Sequence, residues 1–364
     1  MISLCKPVID SQEANNVLEV LNSGILASGE WVKRFEDNFS KYLGTKYAVA
    51  NSNGTVALDI ALKALDLKEG DEVIVPDFTF IATANAVLFQ GAKPVFADID
   101  KKTFALDPDD VIAKITSKTK AIIGVHLFGH PFNVKGIKEI CEDHNLFLIE
   151  DCAQAHGADY KGKKVGSFGD LGCFSFYATK NMTTGEGGMV TTSNEEIKRR
   201  LDLIINHGQS QKYLHTSLGY NYRLTNIQAA IGVAQLEKLD GFNEKRIKNA
   251  ERLSSDLNVP GLRTPVRDAA VKHVYHQYAV LLEDGFPLTR DQFLDYLSQN
   301  GVGSAVHYPY PIHTQPLYKS LGYASEQCPI AMECSKKILS LPVYPGLKDD
   351  DMGYIINTIN KLGA

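Results

Sequence analysis

The chain has 364 residues, 44% of them hydrophobic, and a formal net charge of −5, enough apolar material for one large core with a smaller one beside it. That mild negative balance gives no electrostatic footing for nucleic acid or an anionic membrane surface as a partner. No apolar run reaches the roughly 18 residues of a membrane span, and the six scattered cysteines, with no CxxC pair, read as reduced thiols of a cytoplasmic protein and not as a metal site.

Met1 to Pro7 show no basic region followed by an apolar stretch, so no signal peptide is expected. The first 25 or so residues precede the periodic region and are expected as an arm lying on the domain. From about 45 to 190, short apolar runs alternate with amphipathic stretches. Strands are expected at 47–50, 72–75, 94–97, 121–126, 146–150, 173–176 and 188–192, and helices at 56–64, 108–115 and 134–143. This alternation predicts an α/β fold, a mostly parallel sheet sandwiched by helices, with ligands beyond the carboxyl ends of the strands.

Ile227, Ala230, Ile231 and Ala234 recur at helical spacing and predict a long helix over 225–257, after which Pro260 and Gly261 punctuate the chain. A smaller α+β pattern begins near 272, with strands at 275–282 and 304–308 and helices at 289–300, 329–338 and 349–362. The expected division is an arm plus a large domain over 1–245 and a small C-terminal α+β domain over 246–364.

Two residues beyond strand ends carry the chemistry. Asp151 closes the apolar run 146–150, and Lys180 follows 173–177 and precedes the glycine-rich Gly185–Gly188. A carboxylate and an amine so placed are what pyridoxal phosphate (PLP) requires. The amine holds the cofactor as a Schiff base, and the carboxylate keeps the pyridine nitrogen protonated, so that the ring accepts electrons. Each alone has a plainer reading, a solvated lysine or a helix-capping aspartate.

Neighbouring segments extend the site. Asn53-Gly54-Thr55 opens a helix after the first strand, where free N–H groups and the partial positive charge of the helix end suit a phosphate; an ordinary N-cap is the alternative. The segment is not GxGxxG, which counts against a dinucleotide enzyme. Phe80 stacks on a flat ring or belongs to the core. Gln154 can donate to a pyridoxal phenolic oxygen. His156 either orients Asp151 by a hydrogen bond or is structural. Ser175 holds a phosphate or faces solvent, and Asn221 is a polar donor with no evident local partner.

Ten segments in order resemble the DegT/DnrJ/EryC1/StrS aminotransferases over nearly the whole chain. They are Gly29–Gly44, Asn51–Leu58, Gly70–Val87, Lys120–Pro131, Ile149–Ala158, Phe174–Asn181, Gly185–Val190, Gly219–Ala230, His307–Tyr318 and Ser340–Leu347. The resemblance implies the fold type I aminotransferase architecture and a homodimer with shared active sites. It implies PLP as cofactor, a nucleotide-linked keto-sugar as acceptor at C-3 or C-4, and L-glutamate as donor, giving 2-oxoglutarate. Carried over by position, Lys180 resembles the Schiff-base lysine, Asp151 the pyridinium partner, Gln154 the residue at the phenolic oxygen and Phe80 the stacking residue. Gly54, Thr55 and Ser175 resemble the phosphate cradle, and Asn221 the residue reaching the phosphate from the other subunit. Tyr308 and His313 are expected on the substrate side. Asn53 stands where many members have serine, with the backbone donors and Thr55 retained. A lysine at 180, where the dehydrating branch of the family has histidine, argues for transamination. A PLP-dependent dehydratase, a non-enzymatic regulator and a nicotinamide oxidoreductase are the alternatives.

Overall fold

The structure, a computed structural model, describes residues 1–363. Its main sheet has seven strands: β1 (Tyr47–Asn51), β2 (Glu72–Pro76), β3 (Lys93–Ala97), β4 (Thr119–Val125), β5 (Phe147–Asp151), β6 (Leu171–Ser175) and β7 (Gly188–Thr192), in the order β1-β7-β6-β5-β4-β2-β3. β7 runs antiparallel to β1 and β6, and the remaining pairs are parallel. Successive side chains of a strand point to opposite faces, and here both faces are apolar. Val73, Val75, Ile123 and Ile149 join the core under the helices Gly54–Ala64 and Ala82–Leu88. Ile74, Ile122 and Leu148 join the one under the helix Val134–His144. Continuous Val/Ile runs buried on both sides are what a parallel sheet covered by helices demands.

One buried carboxylate ties β4, β5 and β6 together. Glu150 is 0% exposed. It accepts hydrogen bonds from His126 Nε2 (3.0 Å) and from the backbone N–H groups of Gly166 (2.8 Å), Phe168 (2.7 Å) and Gly169 (2.8 Å). His126 Nδ1 accepts from Phe132 N, so Nε2 carries the proton that goes to Glu150. Burial alone would raise the Glu150 carboxyl, but His126 and the backbone donors outweigh it and hold the group below its ordinary value.

The helix Asn226–Asp256 starts at a capping box between Thr225 and Gln228 and spans 31 residues. It leads to a three-stranded antiparallel sheet of β8 (Leu262–Arg263), β9 (Tyr278–Leu282) and β10 (Ile338–Leu341), in the order β8-β9-β10. Tyr278, Val280, Phe293, Leu297, Ile355 and Ile359 form the core beside it. Ile312 and Tyr318 pack instead on the main-sheet core.

Several expectations need correction. The first residues, expected as an arm on the domain, carry a helix not foreseen there: Ser11–Ser23 starts at an Asp10/Glu13 capping box, and Gln235 and Lys238 of the long helix bond Glu13. Residues 304–308 form no strand; Ala305 only bridges Ser340. The strand pairing with β9 is β10, where Ile338 had been placed at a helix end. β9 begins at Tyr278 and not at 275, because Tyr275 takes a left-handed φ of 45° and Arg246 Nη1 bonds the carbonyls of Tyr275 and His276.

Glu150→Gln retains the shape but aims an amide at three N–H donors. It should lower folding stability by about 3 kcal/mol, read as a drop in urea midpoint; an unchanged midpoint would remove Glu150 from this role.

Candidate active site

The carboxyl ends of β5 and β6 face the start of the helix Gly54–Ala64. Asp151 is the last residue of β5, Ser175 the last of β6, and Lys180 lies in the turn beyond, its N–H bonded to Tyr177 O. A Cβ on Gly54 would lie 2.5 Å from Ser175 Cβ. Glycine therefore lets the first turn of the helix rest on the end of β6. Gly188 does the same at the start of β7, where a Cβ would meet Asn53 O at 2.5 Å. The chain thus brings together the expected phosphate segments, Gly54-Thr55 and Ser175. Asn53 caps the helix through Val56 N (2.9 Å), so the capping and phosphate readings coexist.

Asp151 is 5% exposed. Its Oδ2 accepts from the Thr83 hydroxyl (2.9 Å) and its Oδ1 from Ala153 N (3.1 Å). Burial raises its carboxyl above the ordinary value, against the pull of these bonds and of the Lys180 charge. Burial likewise lowers the Lys180 amine to about 8, with Asp151 opposing. Residues of this kind fit PLP. An under-neutralised buried carboxylate suits a pyridinium nitrogen, a half-buried amine with a lowered pKa suits an aldehyde, and the helix start beside the Ser175 hydroxyl suits a phosphate. Phe80 is 55% exposed, its ring 6.1 Å from that of Tyr308, so one face is available for stacking.

Gln154 is fixed at both ends: Oε1 accepts from Phe128 N (2.7 Å) and Nε2 donates to the Tyr308 hydroxyl (3.0 Å). His313 is buried, its Nδ1 bonded to Asp77 Oδ2 and its N–H to Asp77 Oδ1 (2.8 Å). His156 does not orient Asp151. Both its ring nitrogens are buried without partners, its ring packs 5.6 Å from those of Phe174 and Phe176, and burial pulls its pKa down to about 3. It is a core residue. Asn221 is exposed and pairs through its backbone with Asn206. Its neighbours Tyr220 and Tyr222 stack at 4.8 Å and line, with Thr55, Val56, Asp59, Lys63 and Phe89, a groove of about 270 Å³.

Sequence reasoning missed Thr83 and Asp77. Thr83 lay in the segment that supplied Phe80, three residues on, and so one helical turn away; that spacing was the available signal. Asp77, His313 and Cys328 approach one another closely, as do His126, Glu150 and Cys152. Their carboxylates are occupied by hydrogen bonds and burial holds both thiols protonated, which marks both clusters as structural.

The sequence signature of the DegT/DnrJ/EryC1/StrS aminotransferase family matches residues 7–360. The chain is 38% identical to the GDP-perosamine synthase of Vibrio cholerae over 364 residues, covering 99% of each. It is 40% identical to the UDP-N-acetyl-3-dehydro-alpha-D-glucosamine 3-aminotransferase of Acidithiobacillus ferrooxidans, covering 94% of this chain and 91% of that one. Among solved structures, DesV of S. venezuelae in complex with a ketimine intermediate superposes with a TM-score of 0.93 at 35% identity, over 97% of this chain and 94% of the other.

Only the neutral lysine attacks an aldehyde. Because burial lowers the amine, capture of PLP by cofactor-free protein should rise through a midpoint near pH 8; a midpoint in the ordinary lysine range would show Lys180 to be solvated. Thr83→Val, which removes one donor to Asp151, should weaken PLP retention about tenfold, measurable by equilibrium dialysis.

Proposed function

We propose that this chain, which belongs to the DegT/DnrJ/EryC1/StrS aminotransferase family and is a PLP-dependent aminotransferase, moves the amino group of L-glutamate to C-3 or C-4 of a keto-sugar carried on a nucleotide. The products are an amino-sugar nucleotide, a glycan precursor, and 2-oxoglutarate. The observation that carries the reading is the pairing of a buried Asp151 with a half-buried Lys180, each shifted by desolvation and each opposing the other, at the carboxyl ends of β5 and β6.

Bound PLP supplies an aldehyde that exchanges amino groups and a protonated ring that accepts the electron pair left when a C–H bond breaks. The protein's own residues do the rest. Lys180 Nζ anchors the cofactor; once displaced by the donor amine, it takes the proton from the donor carbon and later delivers one to the sugar carbon. Its lowered pKa gives a usable neutral fraction near pH 7. The Asp151 carboxylate, steadied by Thr83 and Ala153, holds the proton on the ring nitrogen. Backbone donors at Gly54 and Thr55, with the Ser175 hydroxyl, receive the phosphate. Phe80 covers one ring face, Gln154 donates at the phenolic edge, and Tyr308 and His313 line the sugar side.

The working unit is a homodimer in which Asn221 reaches the partner's phosphate site. Its support is an apolar surface on the segment leading to it: Tyr213, Leu214 and Leu218 are 83%, 51% and 77% exposed. The division into 1–245 and 246–364 is supported by the separate core beside β8, β9 and β10. Cytoplasmic residence is supported by six free cysteines; among the described residues no helix is long and apolar enough to cross a membrane.

Purified protein with PLP should show a visible absorbance band that bleaches on adding glutamate, and Lys180→Ala should lack both the band and turnover. Initial rates against glutamate and a panel of nucleotide keto-sugars should be ping-pong. A band indifferent to glutamate would favour the dehydratase. Leu218→Glu should shift the protein to monomer in sedimentation and lower kcat at least tenfold by separating the shared sites; a dimer of full activity would place the interface elsewhere.

A further inference from the structure

We propose that the hydroxyl of Tyr308 donates a hydrogen bond to the phenolic oxygen of the bound cofactor and lowers the pH at which the lysine-bound cofactor loses its proton. The proposal rests on the PLP reading above and adds a residue to it.

Hydrogen-bond polarity gives the first argument. Phe128 N–H must donate, so the atom of Gln154 facing it at 2.7 Å is the carbonyl oxygen. The other end of the amide is therefore NH₂, and it donates to Tyr308 Oη at 3.0 Å. Tyr308 spends a lone pair on Gln154 and keeps its own proton. Among the described residues no acceptor takes that proton. Burial raises the phenol well above its ordinary value, so the proton stays in place across the working pH range. A part-buried donor of fixed polarity with no protein acceptor is open to an acceptor on the ligand.

Topology says which ligand atom that is. In the sheet order, Ser175 on β6 lies to one side of Asp151 on β5, and β4, with Phe128 just beyond its end, lies to the other. Gly54 rests on Ser175. PLP carries its phosphate arm and its phenolic oxygen on opposite flanks of the axis from ring nitrogen to aldehyde carbon. With the nitrogen at Asp151 and the arm on the Ser175 flank, the phenolic oxygen falls on the β4 flank, where Gln154 and Tyr308 stand. Their position is firm. Tyr308 packs edge-on to Phe78 at 6.3 Å, and the segment after it is pinned to the end of β2 by Ile312 N to Asp77 O (2.9 Å) and His313 N to Asp77 Oδ1 (2.8 Å). A donor at the phenolic oxygen stabilises its anionic form, which makes the neighbouring proton easier to lose.

The test is a pH titration of the visible cofactor band in holoenzyme. Tyr308→Phe removes one oxygen and should raise the midpoint by about one pH unit, the size expected for losing one hydrogen bond to a charged acceptor. The shift should appear in holoenzyme without substrate and so does not depend on any change in KM for the sugar nucleotide. Tyr308→Leu, which also removes the hydroxyl, should move the midpoint the same way and serves if Tyr308→Phe misfolds. An unmoved midpoint in a variant that retains PLP overturns the proposal, and a rise in KM without a shift would assign the hydroxyl to the sugar instead. Absence of the band from the unmodified protein would overturn the PLP reading itself, a failure distinct from this one.

Discussion

Holding a buried carboxylate beside a half-buried amine is the constraint on which this site depends. Each charged form is disfavoured by burial, so Lys180 moves toward the neutral amine and Asp151 toward the neutral acid, while each opposes the shift of the other. A surface pair would be screened and ordinary in its proton affinity. Burial therefore supplies both the reactive amine and a carboxylate that still lacks a full counter-charge. It also requires a scaffold stiff enough to keep the two in place without relaxing toward solvent, and the parallel strands β5 and β6 provide it.

Adjacent residues on β5 show how the number of donors sets the role of a buried acid. Glu150 and Asp151 point to opposite faces of the sheet, as strand geometry requires. Glu150 receives four hydrogen bonds, one from His126 and three from the turn that enters β6, and its carboxyl lies below the usual range. Asp151 receives two and lies above it. The first is satisfied by the protein and fixes the approach of β6 to β5. The second is left wanting a cation. The same strand end thus carries a carboxylate satisfied by the protein on one face and an under-neutralised one on the other.

Much of this was legible in the sequence because it follows from local chemistry. Short apolar runs marked all seven strands of the main sheet, and Asp151, Lys180, Gly54 and Ser175 could be read from residue type and position beside strand ends. What escaped depends on partners distant in the chain. His126 meets Glu150 across 24 residues, Thr83 meets Asp151 across 68, and Asp77 meets His313 across 236. Proximity in sequence to Asp151 left both roles open for His156, and the chain carries its ring away among Phe174 and Phe176, which is the structural role. The edge near 304–308 looked like a strand by composition, while β10 took the pairing with β9.

The C-terminal part does more than cap the site. Two carboxylates at the ends of neighbouring main-sheet strands reach into it. Asp77, one residue past β2, holds the turn at 312–313, and Asp98, one residue past β3, accepts from Ile330 N and Ala331 N at the start of the helix Pro329–Lys337. Both carboxylates are buried, so opening that wall would expose or orphan charged acceptors at a cost of roughly 1–3 kcal/mol each. The wall bearing Tyr308 is therefore set by the same sheet that sets Asp151. The ends of neighbouring strands thus fix both the buried Asp151 and the wall that faces it.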